Sequence, residues 1–408
     1  MALNLLHISD SDLGGGAARA AFAIHGRLRS LGHDSRMLVG RRVSDDRDVR
    51  TLKRSVAWRA ADRAAGLLFD RLALQYVFYP SSFGVRLDPW FRSADVVQLY
   101  NLHGSYFSFS ALPLLTRARP VVWLLQDQWA LTGHVAYSLE CERWRDGCGS
   151  CPHLDGYPPL RRDTSAALWR LKRLVYSQSR LTLVVPSRWL EQMTRASPLL
   201  RRFPVHRIPR GVDTATFSPG PQADARRRLD LPGDAPIVLF AAWDLNEQRK
   251  GLELLLQAWR TLEPRPLLLL AGGGEPPRDA GIRSLGRVQD DALLADAYRA
   301  ADVFAVPTLA DAQTKTAPEA LACATPVVSF DRGGIVDVVR HLETGYQARF
   351  GDPGELARGL SLLLADRELR SRLGRAGREL VEREFSLAGE VDRYVGLYER
   401  LLGQSSTT

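Results

Sequence analysis

Short apolar runs punctuate the chain, each closed by glycine, proline or polar residues and followed by a stretch in which apolar side chains recur at helical spacing. In the first half the runs are Asn4 to Ser9, Ser35 to Gly40, Asp95 to Tyr100, Pro120 to Leu125 and Leu181 to Val185. In the second half they are Ile237 to Ala242, Leu267 to Leu270, Val303 to Val306 and the run opening at Pro326. Continuous runs of this kind predict strands of a parallel sheet covered on both faces. Between them Ala21, Ile24, Leu28 and Leu31 fall on one side of a helix, as do Leu252, Leu255, Leu256, Trp259 and Leu262. A last helix is predicted over 386–402, with Leu387, Val391, Tyr394, Val395, Tyr398 and Leu402 on one side, and a disordered tail from Gln404.

The strand ending Val185-Pro186-Ser187 is echoed by Val306-Pro307-Thr308, which predicts two similar α/β halves. Residues 1–205 form the first and 222–385 the second, and 206–221, rich in Gly, Pro and Ser, reads as a linker. A length of 408 residues fits two such domains. A hydrophobic share of 45% with 25% charged residues describes a soluble globular protein. No apolar run approaches the roughly 20 residues that span a bilayer, and Met1 leads almost directly into a strand, so a cytoplasmic protein is expected. The net charge of +9 points to an anionic partner: nucleic acid, an anionic membrane face or a phosphorylated small molecule. Without a zinc-finger, RNP-like or basic-helix signature, nucleic acid drops out.

In an open parallel sheet, ligands sit beyond the carboxyl ends of the strands, so the loops there are where chemistry is sought. After the first strand Gly15 and Gly16 open a helix whose free amides suit an anion; a plain tight turn is the alternative. The turn is not G-x-G-x-x-G, and Arg41-Arg42 stands where a nicotinamide cofactor would want an acid. Asn101 and His103 follow the strand ending at Tyr100, and Gln126 and Asp127 the next one. Arg249-Lys250-Gly251 at the head of a helix forms a diphosphate clamp by charge, or else a solvated surface pair. Asp311 and Glu319 lie eight positions apart on the loop and helix after Val306; Thr316 and Glu319 also fit a T-x-x-E capping box.

Cys141, Cys148, Cys151 and His153 make a C-x6-C-x2-C-x-H set with the ligand types of a structural zinc, and His134 is a rival fourth ligand. Free thiols or a disulfide are the alternatives. Residues 56–79, basic, amphipathic and rich in aromatics, suit an anionic membrane surface, an acceptor groove or packing on their own domain.

In their order and spacing these stretches resemble retaining GT-B glycosyltransferases of family four, which carry an E-x7-E motif and an EA-x-A-x-G-T-P-V-V run; here Asp311 and Glu319 stand at the two acids and Thr325 to Val328 match the close. The run QDQWALTGHVAYSLECERWRDGCGSCP resembles a polysaccharide-assembly subgroup of that family with HD-x-W, TGH and GCG-x-CP segments. The resemblance implies two doubly wound Rossmann-like domains facing across a cleft, with the C-terminal helix packing back on the first. It implies transfer of a hexose with retention from a UDP- or GDP-linked sugar to a saccharide or lipid-linked acceptor, by an enzyme peripheral to the inner membrane face that needs no catalytic metal. Lys250 and Arg249 then hold the diphosphate, Arg287 lies by the base and Glu319 holds the ribose. Asp311 and the loop of Gln313, Thr314, Lys315 and Thr316 hold the sugar, while Gly15 and Gly16 let phosphates and acceptor approach. Gln126 and Asp127 line the reaction centre; His103, Asn101 and Asp213 lie on the acceptor side. Gln126 replaces the family's histidine, and Tyr100 fills another position often held by histidine, which keeps a catalytically silent relative in view. A nucleotide-sugar epimerase of the same fold is the other alternative.

Overall fold

Val121–Leu124 and Leu181–Val185 are buried at every position, so these β-branched and leucine runs can only be inner strands. The structure, a computed structural model, describes residues 2–52 and 55–405. The chain divides into two units, Met1–Ile208 with Val391–Thr408, and Pro209–Glu390.

The first unit holds a seven-stranded sheet in the order β3-β2-β1-β4-β5-β6-β7. Its strands are β1 (Asn4–Ser11), β2 (Asp34–Arg41), β3 (Val49–Thr51), β4 (Val96–Leu99), β5 (Val121–Leu124), β6 (Leu181–Val185) and β7 (Val205–Arg207). Every pairing is parallel, for example Leu5 with Val96 and Val97 with Val121. The strand order reverses between β1 and β4, so the crevice this topology offers a ligand lies beyond the ends of those two strands.

The second unit repeats the plan with six parallel strands in the order β10-β9-β8-β11-β12-β13. They are β8 (Ile237–Asp244), β9 (Leu267–Gly273), β10 (Ile282–Ser284), β11 (Val303–Val306), β12 (Val327–Phe330) and β13 (Gly345–Ala348), with the switch between β8 and β11. Alternate residues of β8 serve opposite cores. Leu239 packs with Tyr298, Phe304 and Leu321 on one face, while Val238 and Phe240 pack with Leu255, Leu256 and Trp259 on the other. Trp259, fully buried, donates from Nε1 to the Pro266 carbonyl at 2.8 Å.

The expected linker is not free chain. Its opening belongs to β7, and from Pro209 the backbone is part of the second unit. The Val212 amide donates to Phe385 O at 2.8 Å, the Leu387 amide to Val212 O at 2.9 Å, and Phe217 is 2% exposed in the core. Composition signalled a linker there, and the boundary between the two units falls inside it, between Ile208 and Pro209; Val212 and Phe217, spaced among the glycines and prolines, anchor its remainder to the second unit. The last helix runs Leu387–Ser405, with its residues from Val391 grouped with the first unit. Val391, Tyr394, Leu397 and Tyr398 are buried, and the Tyr398 hydroxyl donates to Gln98 Oε1 on β4. Gln404 is helical, which corrects the expected tail at its start; residues 406–408 lie outside the described ones.

Among the described residues no helix is long and apolar enough to cross a membrane. The helix Val56–Arg71 buries a single residue, Asp62, which accepts from the Ser81 amide at 3.0 Å and from its hydroxyl. Val56, Leu67 and Leu68 on that helix are exposed, as are Leu72 and Phe78 beyond it. This amphipathic stretch therefore does not bury its apolar stripe as a core helix would.

Candidate functional site

In the second unit, the loops after β8 and β11 are strapped together at the topological switch. The amide of Leu309 donates to Arg249 O at 2.8 Å, and the Thr308 hydroxyl to the same oxygen at 3.2 Å. Gly251, at φ 76°, ends the turn carrying Arg249 and Lys250 and opens the helix Leu252–Arg260. A Cβ there would lie 1.9 Å from the Pro307 carbonyl oxygen, so only glycine permits this approach of the two loops.

That approach delivers Lys250 Nζ to 2.8 Å from Asp311 Oδ2, with an Arg249 Nη at 3.2 Å from the same oxygen. Arg249 also donates to Ala310 O at 2.6 Å and to Glu247 Oε1 at 3.0 Å. Burial pushes the Asp311 carboxyl up, but the Lys250 ammonium and Arg249 guanidinium outweigh it and hold the group well below the usual carboxylate range. The solvated-pair alternative for Arg249 and Lys250 is thereby corrected: both cations are engaged and mostly covered. Two fixed cations beside the amino end of a helix can bind a diphosphate, with Asp311 available to release them toward it.

Glu319 is 2% exposed on the helix Thr316–Ala322. Its Oε2 accepts from the Tyr298 hydroxyl at 3.1 Å, and its Oε1 lies 3.1 Å from Lys315 Nζ. The capping-box alternative is also corrected, since the helix has no side-chain cap and the Thr316 hydroxyl instead meets that of Thr314 at 2.9 Å. The physical reason is that Lys315, already in a helical conformation, occupies the cap position. Gln313 turns its side chain inward, accepting from the Arg210 amide at 3.0 Å and donating to Arg210 O at 3.1 Å. Arg287 stacks over Trp243, 4.7 Å from its ring centre, at the β8–β9 side of the sheet. Asp213 caps a local turn, accepting from the Ala215 amide at 3.0 Å and the Thr216 hydroxyl at 2.7 Å, and does not join the Asp311 cluster.

In the first unit, the ends of β1, β4 and β5 gather Asp10, His103 and Asp127. His103 Nε2 lies 2.8 Å from Asp127 Oδ2, whose other oxygen accepts from the Trp129 amide at 2.9 Å. Burial raises the Asp10 carboxyl while the nearby His103 pulls it down. Asp10 is the residue the sequence reading passed over; an acid closing the first strand ahead of the glycine run was the available signal. Gly15 caps the helix Gly16–Ser30 through backbone alone, and a Cβ on Gly15 or Gly16 would meet nothing, so this turn opens outward. Gln126 is buried beside Asp127, while Asn101 offers its carbonyl to the Tyr106 hydroxyl at 2.7 Å. Tyr100 is a core residue, fully buried with its hydroxyl 2.9 Å from His7 Nδ1.

Behind this cluster Lys172, with no exposed surface, donates from Nζ to Trp129 O at 2.6 Å and Thr132 O at 3.0 Å, and lies 3.6 Å from the Trp129 ring centre. Of the cysteine set, Cys151 Sγ meets the ring of His134 at 3.3 Å, where the sequence pattern put His153. Among the described residues no group of three or more His, Cys, Asp or Glu side chains could hold a metal ion, so Cys141, Cys148, Cys151 and His153 are not brought together as the expected set.

Two parallel-sheet Rossmann-like units, each with polar loops at its switch point, have the fold of the GT-B glycosyltransferases. More narrowly, residues 235–366, which contain the Arg249–Lys250–Asp311–Glu319 cluster, match the family described as Glycosyl transferases group 1. A D-inositol 3-phosphate glycosyltransferase of Xylanimonas cellulosilytica is 38% identical over 202 residues, 44% of this chain and 48% of that protein. The chain thus spans about half the length of that relative. An alpha-maltose-1-phosphate synthase of Mycobacterium tuberculosis is 27% identical over 362 residues, 79% of this chain and 88% of that protein. Among solved structures, Anabaena HepE in complex with UDP and glucose superposes with a TM-score of 0.69 at 15% identity, covering 97% of this chain and 99% of its own.

Proposed function

We propose that this protein transfers a hexose from a nucleotide-linked donor, UDP or GDP in type, to a hydroxyl of a saccharide or lipid-linked acceptor, with retention. The observation that carries the reading is the Lys250–Arg249–Asp311 cluster, built where a diphosphate would meet a helix amino terminus and lying inside the segment that matches the glycosyltransferase family. Lys250 and Arg249 offset the charge that builds on the diphosphate as the glycosidic bond breaks, and Glu319 receives the ribose hydroxyls in exchange for its bond to Lys315. The sugar meets Asp311 and the amides of residues 313–315. Departure of the diphosphate from the face on which the acceptor attacks lets the leaving group take the acceptor proton, so glutamine at position 126 is no obstacle. Asp127 and His103, joined at 2.8 Å, orient the acceptor hydroxyl.

A panel of GDP, UDP, ADP and dTDP sugars in thermal unfolding tests the donor site. The matching donor is expected to raise the midpoint, a stabilisation of roughly 2.7 kcal/mol at a hundredfold excess over its Kd. An unmoved midpoint with every donor refutes the reading. Gln126 favours a second one, a silent relative; it predicts that the donor binds and is neither transferred nor hydrolysed.

The reading includes peripheral contact with an anionic membrane face, supported by the uncovered Val56, Leu67 and Leu68 beside Arg59, Arg63 and Arg71. Sedimentation with phosphatidylglycerol-rich vesicles, weakened by Leu67→Asp and by raised salt, is the expected result. Equal pelleting with and without those vesicles would remove the membrane from the reading.

A further inference from the structure

Resting on the transfer reading above, we propose that the polar cluster of the first unit seats an acceptor sugar ring that carries no phosphate, with Tyr157 as the surface the ring lies on and Asp10 as the group that turns phosphorylated acceptors away. The seat is built within one unit. Ile8 pairs with Leu99 and Leu99 with Trp123, so Asp10 and the turns carrying His103 and Asp127 emerge side by side at the strand ends. A Cβ on Gly104 would lie 3.5 Å from the Asp10 Cβ, which sets Asp10 against the turn of His103. The buried imidazole is the first sign of a ligand. His103 is 5% exposed, its Nε2 is taken by Asp127 at 2.8 Å, and its Nδ1 has no hydrogen-bond partner among the described residues. Buried polar atoms are seldom left unpaired, so the vacancy asks for a partner that a ligand brings. With the Nε2 hydrogen given to the carboxylate, the neutral ring presents a lone pair at Nδ1, the complement of a hydroxyl donor.

Tyr157 is the second sign. Its main chain is pinned, since the Ala136 amide donates to Tyr157 O at 2.7 Å and His134 Nδ1 lies 2.9 Å from the next carbonyl, that of Pro158. Its side chain is nonetheless 61% exposed, with its ring meeting that of His103 edge-on at 5.4 Å between centres. A large aromatic ring held in place and left uncovered, next to buried hydrogen-bonding groups, matches a pyranose: the C–H face of the sugar packs on the ring while its hydroxyls turn to the polar atoms.

Charge decides which sugar. Burial lifts the pKa of the Tyr157 hydroxyl, and Asp10 and Asp127 lift it further, which places both carboxylates within electrostatic range of that ring. Sugar hydroxyls can donate to them. A phosphate would instead set another anion beside two acids in a partly dry pocket, and a repulsion of that kind separates competing ligands more sharply than an added contact does. Lys172, beneath the Trp129 ring, does not offset it: the side chain has no exposed surface and donates to Trp129 O and Thr132 O, so it does not reach a ligand. Arg41 stands at the end of β2, and β1 lies between β2 and β4.

Saturation-transfer NMR on the intact chain, without any donor, tests the seat. The probes are the methyl glycosides of glucose, galactose, mannose and N-acetylglucosamine, set against glucose 1-phosphate, glucose 6-phosphate and D-inositol 3-phosphate. At least one glycoside is expected to bind, and every phosphate to bind roughly tenfold more weakly than it or worse. Asp10→Asn removes the charge at nearly constant size and should close most of that gap by strengthening the phosphates, a gain that damaged packing would not give. Tyr157→Ala should weaken the glycoside by about tenfold, and Tyr157→Phe should keep most of its binding. Wild-type protein that binds none of the glycosides, or binds a phosphate as tightly as its best glycoside, overturns the proposal, and neither result needs a variant to fold. An unchanged gap in Asp10→Asn overturns the role of Asp10. With no donor in the tube, these outcomes stand or fall apart from the donor site, which the unfolding panel tests.

Discussion

Replacing Lys250 with alanine is expected to lower transfer by roughly 10²–10³-fold, the usual loss when one group aimed at developing charge is removed. The same change is expected to abolish the donor-induced rise in unfolding midpoint. Both follow from geometry, since Nζ is fixed 2.8 Å from a buried carboxylate by the turn that Gly251 ends. In the free protein the loss also strips Asp311, 7% exposed, of its shortest cationic contact, leaving Arg249 at 3.2 Å and the influence of Arg210. Stripping one partner from a buried charge typically costs about 1–3 kcal/mol, so the unliganded midpoint should fall as well. That second loss has a defined pH dependence. A carboxylate whose folded pKa is depressed contributes stability above its unfolded value near 4, and the contribution fades as pH drops toward the folded value. The difference between wild type and Lys250→Ala should therefore be full at neutral pH and shrink in acid, as midpoints taken across that range would show. Lys250→Arg keeps the charge and is expected to retain part of both effects. A donor shift that survives in Lys250→Ala would place the diphosphate elsewhere.

Gly251→Ala is expected to be the most damaging single-atom addition in the second unit. A left-handed conformation costs a non-glycine residue roughly 1–2 kcal/mol before any clash. Here the added methyl would also sit 1.9 Å from the Pro307 oxygen, so the loops after β8 and β11 must part. A destabilisation of about 2–4 kcal/mol is expected, along with weaker donor binding, because the parted loops are those that hold Lys250 to Asp311. At roughly 2–4 °C per kcal/mol for a domain of this size, thermal unfolding should show a drop of about 5–15 °C. Gly233→Ala, with nothing near its added carbon, is the matched control. An unchanged midpoint in Gly251→Ala would mean that the two loops are not packed as described.

Both variants test residues that the chain announces in one dimension, and the contrast with those it hides is instructive. Lys250, Asp311 and Glu319 are legible because a strand-end loop confines each to one small region, whatever its exact partners. Their partners are less legible. Tyr298 reaches Glu319 from a neighbouring helix, and Gln313 bonds to the backbone at position 210, more than a hundred residues away. Separations of that size leave no local pattern. The T-x-x-E alternative at Thr316 fails for a related reason: capping requires the first residue to be non-helical, and Lys315 before it is already wound. The packing of the 206–221 segment is hidden for another reason. Glycine and proline report backbone freedom, whereas burial of Phe217 depends on what folds over it. Gly211 shows the same effect, since a Cβ there would lie 2.5 Å from the Leu387 backbone, a contact made across the whole second unit's sequence.

The last helix has a consequence for how the protein is made. The second unit is a single uninterrupted stretch, Pro209–Glu390, while the first takes Val391 onward from beyond it. Synthesis delivers the amino end first, so all seven strands of the first unit leave the ribosome before the helix that supplies Tyr398 to Gln98. The half that is translated first is thus the half that is finished last. Until that helix arrives, Gln98 on β4 lacks the hydroxyl that meets it, while the stretch that makes up the second unit is complete once Glu390 is out.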